Sequence, residues 1–214
     1  YTNYSSSVSF GITSIHDVDL DVTSAITAIS ASVIQNNGFV IKLQTSLESQ
    51  TSSSIRLKYF GADTNTVYPP FLEFKWDDSS YNSGSLSVLN TNIAIVSLMN
   101  NRGVYVDEGK QRFRIAAKPK FPVRTFSTTS PYLTNYALPS GSCWGLRDEN
   151  TQEMVIPFDT TFTKISCDST GPYFDIYMDG LQPERYYRIL VKSELDGSTT
   201  VFDNKNIFKV TRNG

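Results

Sequence analysis

Three carboxylates near the start of the chain alternate in a way that could bind a metal ion. Asp17, Asp19 and Asp21 lie two residues apart, so a strand would project them from one face, where three oxygens suit Ca²⁺. The EF-hand motif is excluded, because the glycine and the glutamate that its loop requires would fall at Val22 and Ala28. A solvated strand face, with Asp21 capping a following helix, is the favoured interpretation. We therefore predict no metal site.

The chain contains a single histidine, His16. One imidazole supports neither a zinc site nor a nucleophile–base pair. Carboxylates are plentiful, but no spacing singles out two of them as the acid and base of glycoside hydrolysis. The sequence therefore predicts no enzyme activity, no catalytic residue and no cofactor.

A basic stretch without any acid runs through the middle of the chain. It comprises Lys110, Arg112, Arg114, Lys118, Lys120 and Arg124. On a strand, Arg112 and Arg114 would share one face and Phe113 would lie on the other. Three interpretations stay open: a solvated face, contact with an acidic neighbour in an assembly, or phosphate neutralisation with Phe126 stacking on bases. The formal net charge of −2 disfavours nucleic acid as the partner.

The basic stretch continues into a proline-marked segment, residues 118–140, that shows no clear period and is called the arm below. It contains Phe126, Tyr132 and Tyr136. Aromatic side chains, tyrosine above all, provide a large contact area for little loss of entropy. The arm is expected either to dock on a neighbour or to fold back onto its own domain. These three aromatic residues and the six basic ones form the candidate interface.

Most of the chain shows the period of two that is typical of strands. Tyr173, Asp175 and Tyr177 alternate with Phe174, Ile176 and Met178. The same alternation is predicted over residues 55–59, and the run from Phe71 is predicted to form a strand that ends at Trp76. Short strands of this kind, separated by Gly, Pro, Asn and Asp, favour β-sandwiches. Asp196-Gly197 predicts a tight hairpin turn, and Asp203–Asn206 predicts another turn before a strand at Ile207–Val210.

One segment departs from this period. Val22, Ile26 and Ile29 have helical spacing, and Asp21 or Thr23 can cap the helix that they predict. Asn36-Asn37-Gly38 then ends the helix and precedes a strand predicted over Phe39–Leu43.

The 214 residues, with 19 Lys and Arg against 21 Asp and Glu, suit two ordinary domains or one large β domain. A polar break at Asp77–Gly84 favours two, over residues 1–80 and 81–214. No apolar run approaches the roughly 20 residues of a membrane span. Since the first residue is Tyr1, we expect a processed or partial product whose first domain is incomplete. Cys143 and Cys167 are expected to be buried free thiols of a reducing compartment rather than a disulfide.

Both halves resemble known β-sandwiches. Asp21-Val22-Thr23, the short helix, Asn36–Leu43 and Pro70–Phe74 resemble the C-terminal half of the DNRLRE-type sandwich of surface and virion proteins, over residues 12–77. Leu181-Gln182-Pro183 followed by Tyr187 resembles the tyrosine corner of fibronectin-III and immunoglobulin-like domains. These resemblances imply an all-β fold of two β-sandwich domains, the second immunoglobulin-like, with one short helix in the first.

The two halves together are similar to structural proteins of tailed bacteriophage virions, in particular those of contractile-tailed marine cyanophages. The likeness is carried by Phe71–Asp78, Tyr132–Tyr136 and Gly180–Tyr187. It implies a virion protein assembled in the host cytoplasm, located in the tail, neck or baseplate or decorating the head. Its partners would be other virion proteins, in many symmetric copies. The alternative is a carbohydrate- or receptor-binding module of a fibre or cell-surface protein, which predicts an exposed aromatic platform on one sandwich.

Overall fold

The computed structural model describes residues 4–9, 18–49, 58–61, 70–124, 126, 128 and 130–213. The chain divides into two compact units, Tyr1–Pro70 and Phe71–Gly214. The described residues form two sheets and two short helices, and both sheets belong to the second unit. The predicted all-β class is confirmed.

The described residues of the first unit contain α1 (Thr23–Ser30) and α2 (Thr45–Glu48). Helix α1 confirms the helix predicted from apolar spacing. Val22 occupies its N-cap position without a side-chain bond. Asp21, one residue earlier, accepts a hydrogen bond of 2.9 Å from the Thr23 N–H, and the interactions with the Thr23 side chain and with this N–H lower the pKa of the Asp21 carboxyl. Asp21 therefore supports the first turn from just outside the helix.

Two predicted strands, Phe39–Leu43 and Phe71–Trp76, are absent from the structure. Val40 is 87% exposed and Phe71 is 86% exposed, so neither segment places an apolar face in a core. A strand needs a neighbouring strand to satisfy its main-chain N–H and C=O groups, and neither segment is paired with another among the described residues. The alternation predicted over 55–59 falls largely outside the described residues, and a sandwich in the first unit stays a prediction.

The second unit is a sandwich of nine strands. They are β1 (Ala94–Met99), β2 (Val104–Val106), β3 (Lys110–Pro119), β4 (Cys143–Asp148), β5 (Met154–Ile156), β6 (Ser166–Asp168), β7 (Gly171–Tyr177), β8 (Tyr186–Leu195) and β9 (Ser198–Thr211). One sheet has the order β1-β3-β7-β6 and the other the order β2-β9-β8-β4-β5. In immunoglobulin lettering, β1 and β2 are the two parts of strand A, β3 is B, β4 is C, and β6 to β9 are D to G, while β5 is an added strand beside C. The two sheets are therefore the ABED and GFC sheets of immunoglobulin domains. The first strand is divided, since β1 pairs with β3 and β2 pairs in parallel with β9.

Aromatic side chains from both sheets fill the space between them. Trp144 on β4 stacks on Phe174 of the opposite sheet with ring centroids 4.9 Å apart. Phe113 lies 5.6 Å from Phe174 and 5.5 Å from Phe208. Immunoglobulin domains pack a tryptophan of this strand on a disulfide between the sheets. Here Ile189, two residues after Tyr187, occupies the place of the second cysteine and is 1% exposed.

The predicted tyrosine corner is confirmed. The Tyr187 hydroxyl donates a hydrogen bond of 3.0 Å to the main-chain carbonyl of Gln182, and both Tyr187 and Leu181 are buried. Burial raises the pKa of Tyr187, outweighing the opposite effect of the bond to Gln182. The corner fixes the connection between β7 and β8 against the core.

The β8–β9 hairpin agrees with one predicted turn and contradicts the other. Asp196 and Gly197 have φ angles of 51° and 68° and connect the two strands, as a tight hairpin turn requires. The turn predicted over Asp203–Asn206 is instead a bulge inside β9. Ile189 pairs with Asn206 and Val191 pairs with Phe202, so the three residues before Asn206 lie opposite Leu190 alone. Main-chain pairing on both sides keeps the strand continuous.

Cys143 and Cys167 are free and buried, as the sequence predicted. Burial raises the pKa of both thiols. Cys167 also connects the sandwich to the predicted break at Asp77–Gly84: its N–H donates to the Ser80 carbonyl, and its carbonyl accepts from the Asn82 N–H, each at 2.9 Å. Part of that polar segment is therefore paired to the edge of the ABED sheet.

Candidate functional site

The basic stretch begins on β3, with its arginines on the solvent side of the ABED sheet. Phe113 and Ile115 are buried in the core, while Arg112 is exposed and Arg114 half-buried. The predicted division of the strand into an arginine face and an apolar face is confirmed. The acids that face these arginines come from strands β6 and β7.

The first three cations of the stretch are paired inside the domain. Arg112 donates to both oxygens of Asp175, at 2.8 and 2.9 Å, and Lys110 lies 3.0 Å from the same carboxylate. Arg114 donates to both oxygens of Asp168, at 3.0 and 2.8 Å. Bidentate pairs of this kind are directional and comparatively strong. Lys110 also lies 3.9 Å from Asp78, so three acids face the three cations and this half of the candidate interface presents little uncompensated charge to a partner.

The carboxylates of these pairs are tuned by their arginines. Hydrogen bonds from Arg114, opposed by burial, lower the pKa of Asp168 to about 2. Burial acts to raise the pKa of Asp175, but the bonds from Arg112 and Lys110 outweigh it and lower the pKa. Both acids are therefore charged at neutral pH.

Tyr173 lies beside both arginines on the same face. The Arg112 guanidinium carbon is 4.1 Å from the centroid of the Tyr173 ring, and that of Arg114 is 5.4 Å from it. These distances fall within the range of cation–π attraction. The cluster of two arginines, their acids and one ring stiffens the middle of the sheet.

The second half of the stretch has no acidic partner. Lys118 donates to the Tyr132 carbonyl at 3.4 Å, and the Lys120 ammonium lies 5.6 Å from the Phe121 ring centroid. Within the part of the chain that the structure describes, neither lysine nor Arg124 forms a salt bridge. Three positive charges at the beginning of the arm are therefore available to an external group.

The arm is the connection between β3 and β4, and its aromatic residues have different environments. Phe126 is fully exposed and Tyr132 is 46% exposed, whereas Tyr136 is half-buried and packs against the core. Phe121 and Leu133 are 73% and 81% exposed. The end of the arm therefore folds back onto its own domain, while docking of its exposed described residues on a neighbour stays a prediction.

Asn135 attaches the end of the arm to the sandwich. Its Oδ1 accepts hydrogen bonds from the N–H groups of Ala117, at 2.8 Å, and Tyr136, at 3.1 Å. Its Nδ2 donates to the carbonyls of Thr170, at 3.3 Å, and Ile115, at 3.4 Å. A single side chain thereby connects the arm, β3 and the turn before β7.

A shallow hollow of about 170 Å³ lies where the returning arm crosses the outer face of β1 and β3. Its lining includes Met99, Ala116, Lys118, Tyr132 and Leu133. Ligand pockets usually enclose about 300–1,000 Å³, so this hollow suits one side chain of a protein partner better than a small molecule.

Three features of this surface escaped the sequence analysis. Asp168 and Asp175 neutralise half of the basic stretch from strands distant in sequence, and Asn135 carries no motif. The alternation at Tyr173–Met178 placed Asp175 on an outer face, and this was the one sequence feature that could have indicated a partner for the arginines. The pairing of that face with β3 depends on strand order, which no local pattern encodes.

The alternating carboxylates near the start of the chain fall partly outside the described residues, since Asp17 is not among them, and neither is His16. Among the residues that are described, no three His, Cys, Asp or Glu side chains are grouped closely enough to hold a metal ion. None of the described helices has the length and apolar character needed to cross a membrane.

No protein-family model matches this chain, and no curated protein or solved structure matches it. The fold and the surface define its class: an immunoglobulin-like β-sandwich whose long β3–β4 connection carries exposed apolar and cationic residues.

Proposed function

We propose that this chain is a structural component of a bacteriophage virion, in the tail, neck or baseplate or on the head, and that it acts through protein–protein interfaces. The observation that carries the proposal is the arm. Phe121, Val123 and Leu133, each more than 70% exposed, lie on the same arm as three cations that form no salt bridge among the described residues. Exposed apolar residues beside charge are typical of association surfaces.

The sandwich supports this proposal by holding the arm in place. The Asn135 bonds attach the arm to β3, and the Arg112 and Arg114 pairs join β3 to the neighbouring strands. A rigid base lowers the entropy that is lost when a surface binds. The phage assignment itself comes from the sequence resemblance over Phe71–Asp78, Tyr132–Tyr136 and Gly180–Tyr187, since immunoglobulin-like folds have many functions.

The test is mass spectrometry of gradient-purified virions from cells infected with the phage that encodes this chain. We expect its peptides to sediment with the particles at a constant ratio to a major capsid protein across the peak. Capsid-free fractions of the same lysate serve as the control. Peptides found only in the soluble fractions would contradict the proposal.

A second candidate function is carbohydrate or receptor binding, and one observation favours it. Trp76 and Tyr177 are 43% and 37% exposed and pack edge to face with ring centroids 5.1 Å apart. Lys110 lies 5.5 Å from the Tyr177 ring centroid. Aromatic rings can stack on the C–H faces of sugars while charged groups bind hydroxyls. Glycan-array binding that is lost in Trp76→Ala and kept in Phe121→Ala would favour this function over the structural one.

A further inference from the structure

The two ends of the sandwich carry complementary charge. At one end β3 leads into the arm, where Lys118, Lys120 and Arg124 have no salt bridge among the described residues. The sequence contains no Asp or Glu between Glu108 and Asp148, so no acid close in sequence compensates these three cations. The β8–β9 hairpin places the exposed acids Glu194 and Asp196 at the same end, and the three cations outnumber these two.

The opposite end of the same sandwich has an excess of acids. We define its acidic end as Asp107, Glu108 and Asp179, which outnumber the exposed Arg212 beside Asp107. The loop before β3 contains the first two, and the turn after β7 contains the third. The two connections are adjacent, because the Met178 N–H donates to the Gly109 carbonyl at 2.9 Å. In the described part of the chain none of these three acids forms a salt bridge.

Strand β3 sets the distance between the two ends. Its 10 residues begin beside the acidic end and finish where the arm begins, which corresponds to roughly 30 Å at the usual rise of a strand. The charges are therefore too far apart to neutralise one another within one copy, since the screening length is about 8 Å at physiological salt.

Apolar surface accompanies the charge at both ends. In the arm, Phe121 and Val123 are 73% and 83% exposed. Beside the acidic residues, Val106 and Tyr177 are 44% and 37% exposed. Charge at such a contact sets orientation and partner choice, and the apolar groups add affinity.

We propose that copies of this chain stack head to tail, with the arm of one copy on the acidic end of the next. The inference rests on the proposed function, because it assumes that the chain works through contacts between proteins. A contact between two different surfaces of the same chain repeats, and it produces a ring when the rotation closes and a filament when it does not. Because three cations and a few exposed apolar side chains carry the contact, we expect weak association, with a dissociation constant of about 10 µM to 1 mM.

Sedimentation velocity of the full chain at increasing concentration tests the association. We expect assembly that strengthens with concentration and weakens when salt rises from about 0.1 M to 1 M, since the screening length falls from about 10 Å to 3 Å. A monomer at every concentration up to about 1 mM would overturn the proposal.

Charge reversal identifies the two surfaces. The arm variant combines Lys120→Glu with Arg124→Glu, and the end variant combines Glu108→Lys with Asp179→Lys; all four residues are exposed. Each variant alone should associate at least about tenfold more weakly than the parent, because like charges then face each other. An equimolar mixture of the two should associate as the parent does, because both contacts become complementary again.

Lys205→Glu is the matched control, since this exposed residue of the β9 bulge lies in the middle of the other sheet, away from both ends, and should leave association unchanged. Circular dichroism of each variant verifies folding. Failure of the mixture to recover, or binding of nucleic acid or of another acidic protein by the arm without self-association, would overturn the stacking. The proposed function fails separately, when the chain is absent from purified particles.

Discussion

Asn135 offers the sharpest test of how the sandwich holds its arm, through the substitution Asn135→Ala. Its two accepted bonds, at 2.8 and 3.1 Å, contribute about 1 kcal/mol each. The two donated bonds, at 3.3 and 3.4 Å, are long and contribute about 0.5 kcal/mol each to the free energy of unfolding. Since the site is half-buried, water replaces part of the loss. We expect the free energy of unfolding to fall by about 2 kcal/mol.

The assay is equilibrium unfolding in urea, followed by circular dichroism, together with limited trypsin digestion. Release of the arm should accelerate cleavage after Lys120 and Arg124 several-fold. Asn135→Asp should retain the two accepted bonds but place a second oxygen against carbonyls, at a cost of about 1–2 kcal/mol. Asn82→Ala, which removes one exposed bond of 3.2 Å to the Gly84 N–H, is the control and should change stability by less than about 0.5 kcal/mol.

An Asn135→Ala variant that matches the control in both stability and cleavage rate would refute this reasoning. The arm would then be held by other contacts, and its position would not depend on the hydrogen bonds of Asn135.

Three further predictions concern the sandwich itself. Tyr187→Phe should lower the free energy of unfolding by about 1 kcal/mol, because the partly buried hydrogen bond to the Gln182 carbonyl is lost; an unchanged urea midpoint would contradict the role of the corner. Asp168 has a folded pKa of about 2, below its unfolded value, so its pair with Arg114 stabilises above about pH 4 and is lost as pH falls towards 2. After discounting for partial exposure, Asp168→Asn should lower the free energy of unfolding by about 1 kcal/mol at pH 7, and the variant should lose less stability than the parent as pH falls from about 4 to 2. An equal loss of stability in the two proteins over this pH range would count against the pair. Cys143 and Cys167 are buried with raised pKa values, so neither should react with a thiol reagent until the chain unfolds; rapid labelling of the native protein would show the burial to be wrong.

The parts of this fold that were predictable are those encoded by neighbouring residues. The corner at Leu181–Tyr187, the turn at Asp196-Gly197 and the helix after Asp21 each depend on a few adjacent side chains and their main-chain preferences. The alternation of arginine and apolar residues on β3 is local in the same sense. These elements required no knowledge of the remainder of the chain.

The remainder depended on which segments pair. Phe39–Leu43 has the composition of a strand, yet no strand among the described residues pairs with it, and composition cannot supply a partner. Asp203–Asn206 has the composition of a turn, yet the pairing of β8 with β9 turns it into a bulge. In the site, the basic stretch was visible, but the neutralisation of its first half by Asp168 and Asp175 follows from strand order.

A cryo-EM map of the assembled particle at side-chain resolution tests the central claim most directly. The account predicts this chain in repeated copies, with Phe121, Lys120 and Arg124 buried at a contact between proteins. A particle that lacks the chain, or one in which the arm is exposed to solvent while another face makes the contacts, would contradict it.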